Sequence, residues 1–228
     1  DEYALYELRD LDIGGPDFVY PPAALAAAAG GYGDPVDLDR IPPDALRAYP
    51  LIVTRRDPAA PRPPAAYSLI WQGAYYQVWR RAPGAAAAVA HRALTGGVAD
   101  QCRQIEHEAT IASAYRASTA TRLVTAEAPE LVRISLTGAS HTLRWGRQRG
   151  GLVMNSAGQL RAGFELPAGA LWDIWVQGQI MPTVELSLDG RRLASIGGQL
   201  SGNSLVPDTL PPIVVRLAAG AHRLVVTR

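Results

Sequence analysis

From about residue 119 onward, apolar side chains recur at every second position. Val132, Ile134 and Leu136 alternate with Arg133, Ser135 and Thr137, the pattern of a strand with one buried face. Leu160, Ala162, Phe164 and Leu166 point one way while Arg161 and Glu165 point the other, and Val184, Leu186 and Leu188 oppose Glu185 and Ser187. Asp189-Gly190 follows at once, a residue pair that suits a two-residue hairpin turn. Further short runs lie at Leu143 to Trp145, Leu152 to Met154, Leu171 to Val176, Ile213 to Leu217 and Leu224 to Val226. About eight short strands punctuated by Gly, Pro, Asn and Asp predict an antiparallel β-sandwich of jelly-roll type over residues 119–228.

The first half is less regular. Residues 1–118 mix short helical and extended signals between prolines, which predicts a small α/β (α+β) domain and makes the whole chain mainly β. Pro21-Pro22 before Ala23 to Ala29, closed by Gly30-Gly31, predicts a short helix, and Pro42-Pro43-Asp44 opens another. Gly33-Asp34-Pro35 marks a turn, and Leu51 to Thr54 reads as a buried strand. Tyr67 to Trp71 and Tyr75 to Trp79 flank Gln72-Gly73-Ala74, a hairpin pattern with many aromatic residues, suited to cross-strand packing or to a ligand shelf. The Ala- and Gly-rich stretch 83–97 reads as a linker. Beyond it, helical spacing of Ile105, Ala109, Ala112 and Tyr115 predicts a helix near residues 100–118, with Asp100 as N-cap, packing on the first domain.

Composition narrows the function classes. With 48% hydrophobic and 19% charged residues in 228, the chain has ample apolar surface for a folded core. All 22 basic residues are arginine, spread without a basic run, and the net charge is +1; nucleic-acid binding lacks its electrostatic footprint. The single cysteine, Cys102, excludes an internal disulfide and a cysteine-rich zinc site. No stretch reaches the ~18 apolar residues of a membrane span. The opening Asp1-Glu2-Tyr3 has neither an initiator Met nor a signal peptide, so a piece of a longer chain is expected.

The strand Leu171 to Gln177 carries the most specific chemical suggestion. Alternation puts Trp172, Ile174 and Val176 on one face and Asp173, Trp175 and Gln177 on the other. A flat aromatic ring beside a carboxylate and an amide suits a sugar, whose C–H face stacks on the ring while its hydroxyls take planar hydrogen-bond partners. The competing reading has Trp175 covered by the first domain or a loop. Trp145 is either a second platform or a core residue. The segment 199–204, with Asn203, and nearby Asp208 form a polar loop in which Asn203 could contact a ligand, or join Asp208 in binding calcium, although no dense acidic motif supports a metal. Cys102 and Glu106 share a helical face from which His107 is displaced, a poor metal geometry. No nucleophile elbow, P-loop or dinucleotide fingerprint occurs, and no catalytic residue is assigned. Glu165, Asp173 and Glu185 are the acids from which a glycosidase pair would have to come.

Several phrases of the first half resemble the actinobacterial polytopic membrane glycosyltransferases of GT-C type, including arabinofuranosyltransferase-like members: Asp17-Phe18-Val19-Tyr20-Pro21-Pro22, Tyr49 to Arg56, Arg62-Pro63-Pro64, and Tyr75-Tyr76-Gln77-Val78-Trp79. The resemblance implies an extracytoplasmic region tethered to the cell membrane by an upstream transmembrane part, with a C-terminal portion like a carbohydrate-binding module. It implies cell-envelope glycan as partner and a catalytic centre elsewhere in the longer protein; none of its catalytic acids matches a position here. A structural or protein-interaction module bracing the membrane region, without glycan binding, is the alternative.

Overall fold

A computed structural model describes residues 7–11, 13, 36–85, 90–95, 97–115, 123–126, 130–134, 138–148, 151–178, 180–181, 183–197 and 209–228. The expected helix over residues 23–29 and the turn at residues 33–35 lie outside them, as does the loop holding Asn203 and Asp208. The described chain is mainly β, with several antiparallel sheets.

In the first half, β1 (Leu51–Arg55), β2 (Tyr67–Gln72) and β3 (Tyr76–Arg81) form a sheet in the order β1-β3-β2. The hairpin expected from the aromatic pattern is β2–β3, with a bulge between Leu69 and Trp71. One face of this sheet is covered. A 3-10 turn at Leu38–Arg40 and the short helix α1 (Pro43–Leu46) bury Leu38, Ile41 and Leu46, against which Ile52 packs. Asp37 starts the 3-10 turn, its carboxylate accepting from the Asp39 amide at 3.1 Å. Tyr67 is buried on β2 and places its hydroxyl 2.7 Å from the carbonyls of both Leu46 and Tyr49. One proton is shared between two acceptors, which ties α1 to the sheet. The expectation that Leu51 to Thr54 is a buried strand is corrected: β1 is an edge strand, with Leu51 44% and Val53 43% exposed. An apolar run does not distinguish burial on two faces from burial on one.

The helix is α2 (Val98–Tyr115), beginning two residues earlier than expected. Asp100 is its third residue, not its N-cap, and reaches back to accept from the Gly97 amide at 3.2 Å, the return half of a capping box. Gln104 anchors the preceding segment by bonding both amide and carbonyl of Thr95, at 3.2 and 2.8 Å.

In the second half, β4 (Ser140–His141), β7 (Gln159–Leu166), β9 (Val184–Leu188), β10 (Arg191–Ile196) and β12 (Gly220–Thr227) form a sheet in the order β10-β9-β12-β7-β4. The strands β8 (Ala170–Ile174) and β11 (Ile213–Leu217) form a separate antiparallel pair, and β5 (Gly146–Gln148) with β6 (Gly151–Val153) forms a small ribbon. The register aligns the alternating apolar rows. Leu224 lies opposite Leu188 on one side and Ala162 on the other, and Val226 opposite Leu186 and Leu160. Leu160 and Leu186 are each 1% exposed. Against this row pack Ile174 of β8 and Ile213 and Leu217 of β11. The two layers share one apolar cluster.

Two expected strands are absent from the ladders. Glu130–Ile134 keeps the alternation, with Val132 and Ile134 half-buried and Leu131 and Arg133 exposed, but forms no ladder; residues 135–137 lie outside the described set. Leu143 to Trp145 is a turn, closed by Trp145 N–H to the Thr142 carbonyl at 2.9 Å, with Leu143 99% exposed. Side-chain alternation signals burial on one side, whereas a strand also needs a neighbour for its amides.

Gly158, at the entry to β7, exchanges both backbone hydrogen bonds with Arg228, at 3.1 and 3.0 Å. A Cβ there would come within 2.2 Å of Thr142 Oγ1 and 2.7 Å of Thr142 Cβ, whereas at Gly163 the nearest atom would be 3.9 Å away. Gly158→Ala is expected to destabilise the chain by about 1–3 kcal/mol through overpacking, with Gly163→Ala close to neutral, as read by urea unfolding. Tyr67→Phe is expected to cost about 1–2 kcal/mol, the loss of a buried hydroxyl's hydrogen bond to the Leu46 and Tyr49 carbonyls, measured the same way.

Candidate functional site

The face expected to meet sugar lies on the outer side of the β8–β11 pair. Along β8 and its continuation, Leu171, Asp173 and Gln177 are exposed while Trp172, Ile174 and Val176 turn inward. The Trp172 indole N–H donates to the Ala168 carbonyl at 3.4 Å. Across the ladder, Arg216 stands opposite Leu171 and Val214 opposite Asp173. Pro211-Pro212 interrupts the pairing, since proline has no amide to offer a ladder. It resumes beyond them through the Leu210 amide to the Val176 carbonyl at 2.9 Å and a bridge between Gln177 and Thr209. The result is an open strip carrying a carboxylate, a guanidinium and an amide beside exposed Leu171 (62%) and Val214 (58%).

Trp175 belongs to this strip but is half-buried, and Arg56 of the first half places its guanidinium carbon 5.2 Å from the ring centroid. Such a cation over an indole contributes about 0.5–2 kcal/mol, depending on desolvation. Arg56 is positioned by its own amide, which donates to the Tyr75 carbonyl at 2.7 Å. The ring therefore carries a cation from the residue that follows β1. Trp145 is a core residue, 3% exposed, packed with Leu160 and Ala162 and donating its indole N–H to the Ser156 carbonyl at 2.9 Å. Of the two readings of Trp145, second platform or core residue, the core one holds, and the ring is enclosed beside the turn that precedes it. Asn203 lies outside the described residues.

Among the described residues of the second half, His222 and Asp189 make a highly connected polar pair. Asp189 and Gly190 form the β9–β10 turn with φ of 50° and 81°, both positive as a type I′ turn requires. Asp189 Oδ1 accepts from the Arg223 amide at 2.8 Å, and Oδ2 lies 2.7 Å from His222 Nδ1. His222 Nε2 lies 3.0 Å from the Ala218 carbonyl, and its ring centroid is 5.6 Å from that of Phe164. Both ring nitrogens thus face acceptors. Only the imidazolium donates from both. The hydrogen bond to Asp189, then that to the Ala218 carbonyl, raises the His222 pKa above 6.5. The same bond from His222, followed by the Arg223 amide, holds the Asp189 carboxyl below its ordinary 3.8. The pair lines a shallow hollow with Gly190, Ala221 and Arg223. It fastens two turns to β12, and with neither nitrogen directed at a third group it is not poised as a general base. The strand period alone could have flagged it, because it places His222 in the inward row with Leu224 and Val226, where a titratable ring needs a partner.

The remaining candidates are not brought together. Glu165 pairs with Ala221 and Glu185 with Thr227, six residues apart along β12, or about 20 Å, too far for a glycosidase pair. Glu185 is moreover 2.9 Å from Arg192. His91 Nε2 lies 3.1 Å from Asp39 Oδ1 and 2.8 Å from the Arg62 carbonyl, tying the segment after the linker to the first sheet's surroundings; burial raises the Asp39 pKa, partly countered by His91. Cys102, Glu106 and His107 are all exposed on α2, and no group of three or more metal-ligating side chains occurs among the described residues. No described helix is long and apolar enough to cross a membrane. Neither a protein-family model nor a curated protein matches the chain.

The pH dependence of stability follows from the His222–Asp189 pair. A raised histidine pKa gives stabilisation that is fully present below about 6.5 and lost as pH rises through the folded-state value. A lowered carboxylate pKa gives stabilisation present above about 3.8 and lost as pH falls through its depressed value. Thermal unfolding of wild type and His222→Gln is expected to differ most between about pH 4 and 6.5 and to converge at alkaline pH. The Asp189 side chain is 47% exposed, so solvent screens the pair and the difference is modest.

Proposed function

We propose that this chain is the non-catalytic, extracytoplasmic part of a membrane-tethered, glycosyltransferase-like protein, and that its jelly-roll-like second half, with a small α/β unit before it, binds or positions cell-envelope carbohydrate. The observation that carries this reading is the open outer strip of β8–β11. Asp173, Arg216 and Gln177 offer planar hydrogen-bonding groups of both polarities on one exposed face, as sugar hydroxyls require. Trp175 adjoins them, with Arg56 over its ring, and supplies the aromatic surface on which a pyranose or furanose stacks. Glu165 and Glu185 stand six residues apart along β12, beyond glycosidase spacing, which supports binding without turnover.

A second reading is favoured by one specific feature. Leu171 and Val214 are the most exposed large apolar residues on the strip, and apolar side chains serve a protein partner as well as they serve a glycan. In that reading the same face braces the membrane region or docks another protein.

Calorimetric or NMR titration with cell-wall arabinan, galactan and mannan fragments separates the two. Binding to at least one glycan is expected, with Asp173→Ala and Trp175→Ala each weakening it by about ten-fold, the order of one charge-assisted hydrogen bond or one stacked ring. No binding across the three glycan classes by folded protein would sink the carbohydrate reading and leave the docking one.

A further inference from the structure

We infer that the outer face of the β1–β3–β2 sheet, together with its hairpin, docks on a bilayer surface containing anionic phospholipid. Cross-strand register places Val53 opposite Val78 and Val78 opposite Trp71, a row of apolar side chains running across all three strands on one face. Leu51 is two residues from Val53 and so shares that face. Leu51, Val53 and Trp71 are 44%, 43% and 54% exposed. The covered face lies on the other side, where Ile52 meets the Leu38, Ile41 and Leu46 cluster. Beside Trp71 the exposure continues at Ile70, which is 46% exposed, whereas Leu69 stands opposite Trp79 and belongs to the face of Ile52. The bulge leaves Ile70 without a cross-strand partner, so its side chain contributes nothing to the ladder.

Charge selects the partner. The three strands carry Arg55, Arg80 and Arg81 and no carboxylate, and the whole segment from Leu51 to Arg81 holds five arginines against Asp57 alone, in a chain whose net charge is only +1. Arg55 and Arg80 lie on the same face as the apolar row, opposite Tyr76 and Leu51 respectively. Aliphatic and indole groups bordered by arginine match the boundary of a lipid bilayer, where the indole sits at headgroup level and the guanidinium meets phosphate while its stem covers apolar surface. A folded protein partner would have to supply an acidic rim around an apolar patch. This surface is separate from the β8–β11 strip, so its test stands apart from the carbohydrate reading.

The experiment is flotation of the chain with vesicles of phosphatidylcholine alone and of phosphatidylcholine with about one third phosphatidylglycerol, at low and high salt. Co-flotation with the anionic vesicles and weak or no recovery with the neutral ones is expected. Ile70→Asn combined with Trp71→Ser should lower partitioning at least about ten-fold, since two apolar side chains no longer enter the interface. Arg80→Gln should lower it by about five-fold at low salt and by less at high salt. Should circular dichroism show that the double variant is unfolded, Ile70→Asn alone is read, because Ile70 has no ladder partner to lose. The inference is overturned if the folded chain ignores anionic vesicles, if it binds neutral ones equally well, or if the variants bind as wild type does. It is equally overturned if sedimentation shows the chain to be a dimer that Ile70→Asn dissociates, which would assign the face to a second copy.

Discussion

The fold of the second half depends on the pairing of β12 along both of its edges. Its inward row sits between matching rows on β7 and β9, so that Leu224 touches the register of Ala162 and Leu188 at once, and Val226 that of Leu160 and Leu186. Because side chains alternate with period two, a slip of one residue would turn that whole row to solvent. The register is therefore held by burial on one face and by hydrogen bonds along both edges. The β8–β11 pair then closes over the same row through Ile174, Ile213 and Leu217.

His222 marks where this apolar row ends. Its ring lies on the inward side beside Phe164, where an unpartnered imidazolium would be costly. The β9–β10 turn brings the Asp189 carboxylate to one nitrogen, and the β11–β12 turn brings the Ala218 carbonyl to the other. Two turns from different parts of the chain are thereby fastened to one strand. The Asp189 side chain does this while its backbone adopts the positive φ that the two-residue turn demands, so a single residue serves both the local turn and the long-range bond.

The two surfaces proposed for function arise from the same physical circumstance, a sheet with one face buried and the other left open. On β8–β11 the open face is polar and mixed in charge, which suits hydroxylated ligands. On β1–β3–β2 it is apolar with arginine alone, which suits an anionic interface. Arg56, directly after β1, reaches Trp175, directly after β8, and so one cation links the segments that carry the two faces.

Much of this was legible in the residue pattern. The inward rows of β7 and β9, the Asp189-Gly190 turn, the aromatic hairpin, the helix near residue 100 and the split of Asp173 from Ile174 all follow from periodicity and turn chemistry, which act between near neighbours. Trp145 illustrates the limit: its neighbours alternate as strand residues would, yet a hydrogen bond from its own amide to Thr142 makes a turn and sends the ring into the core. Leu51 and Val53 likewise belong to a strand the pattern identifies, but their exposure depends on which strand pairs at which edge. The contacts of His222 with Asp189 and of Arg56 with Trp175 join residues 33 and 119 positions apart. By itself the sequence determined which side of each strand is apolar, because that is a property of consecutive residues. Only the tertiary structure decided which of those sides is covered and what lies over an aromatic ring, because both depend on groups that chain closure brings in from far away.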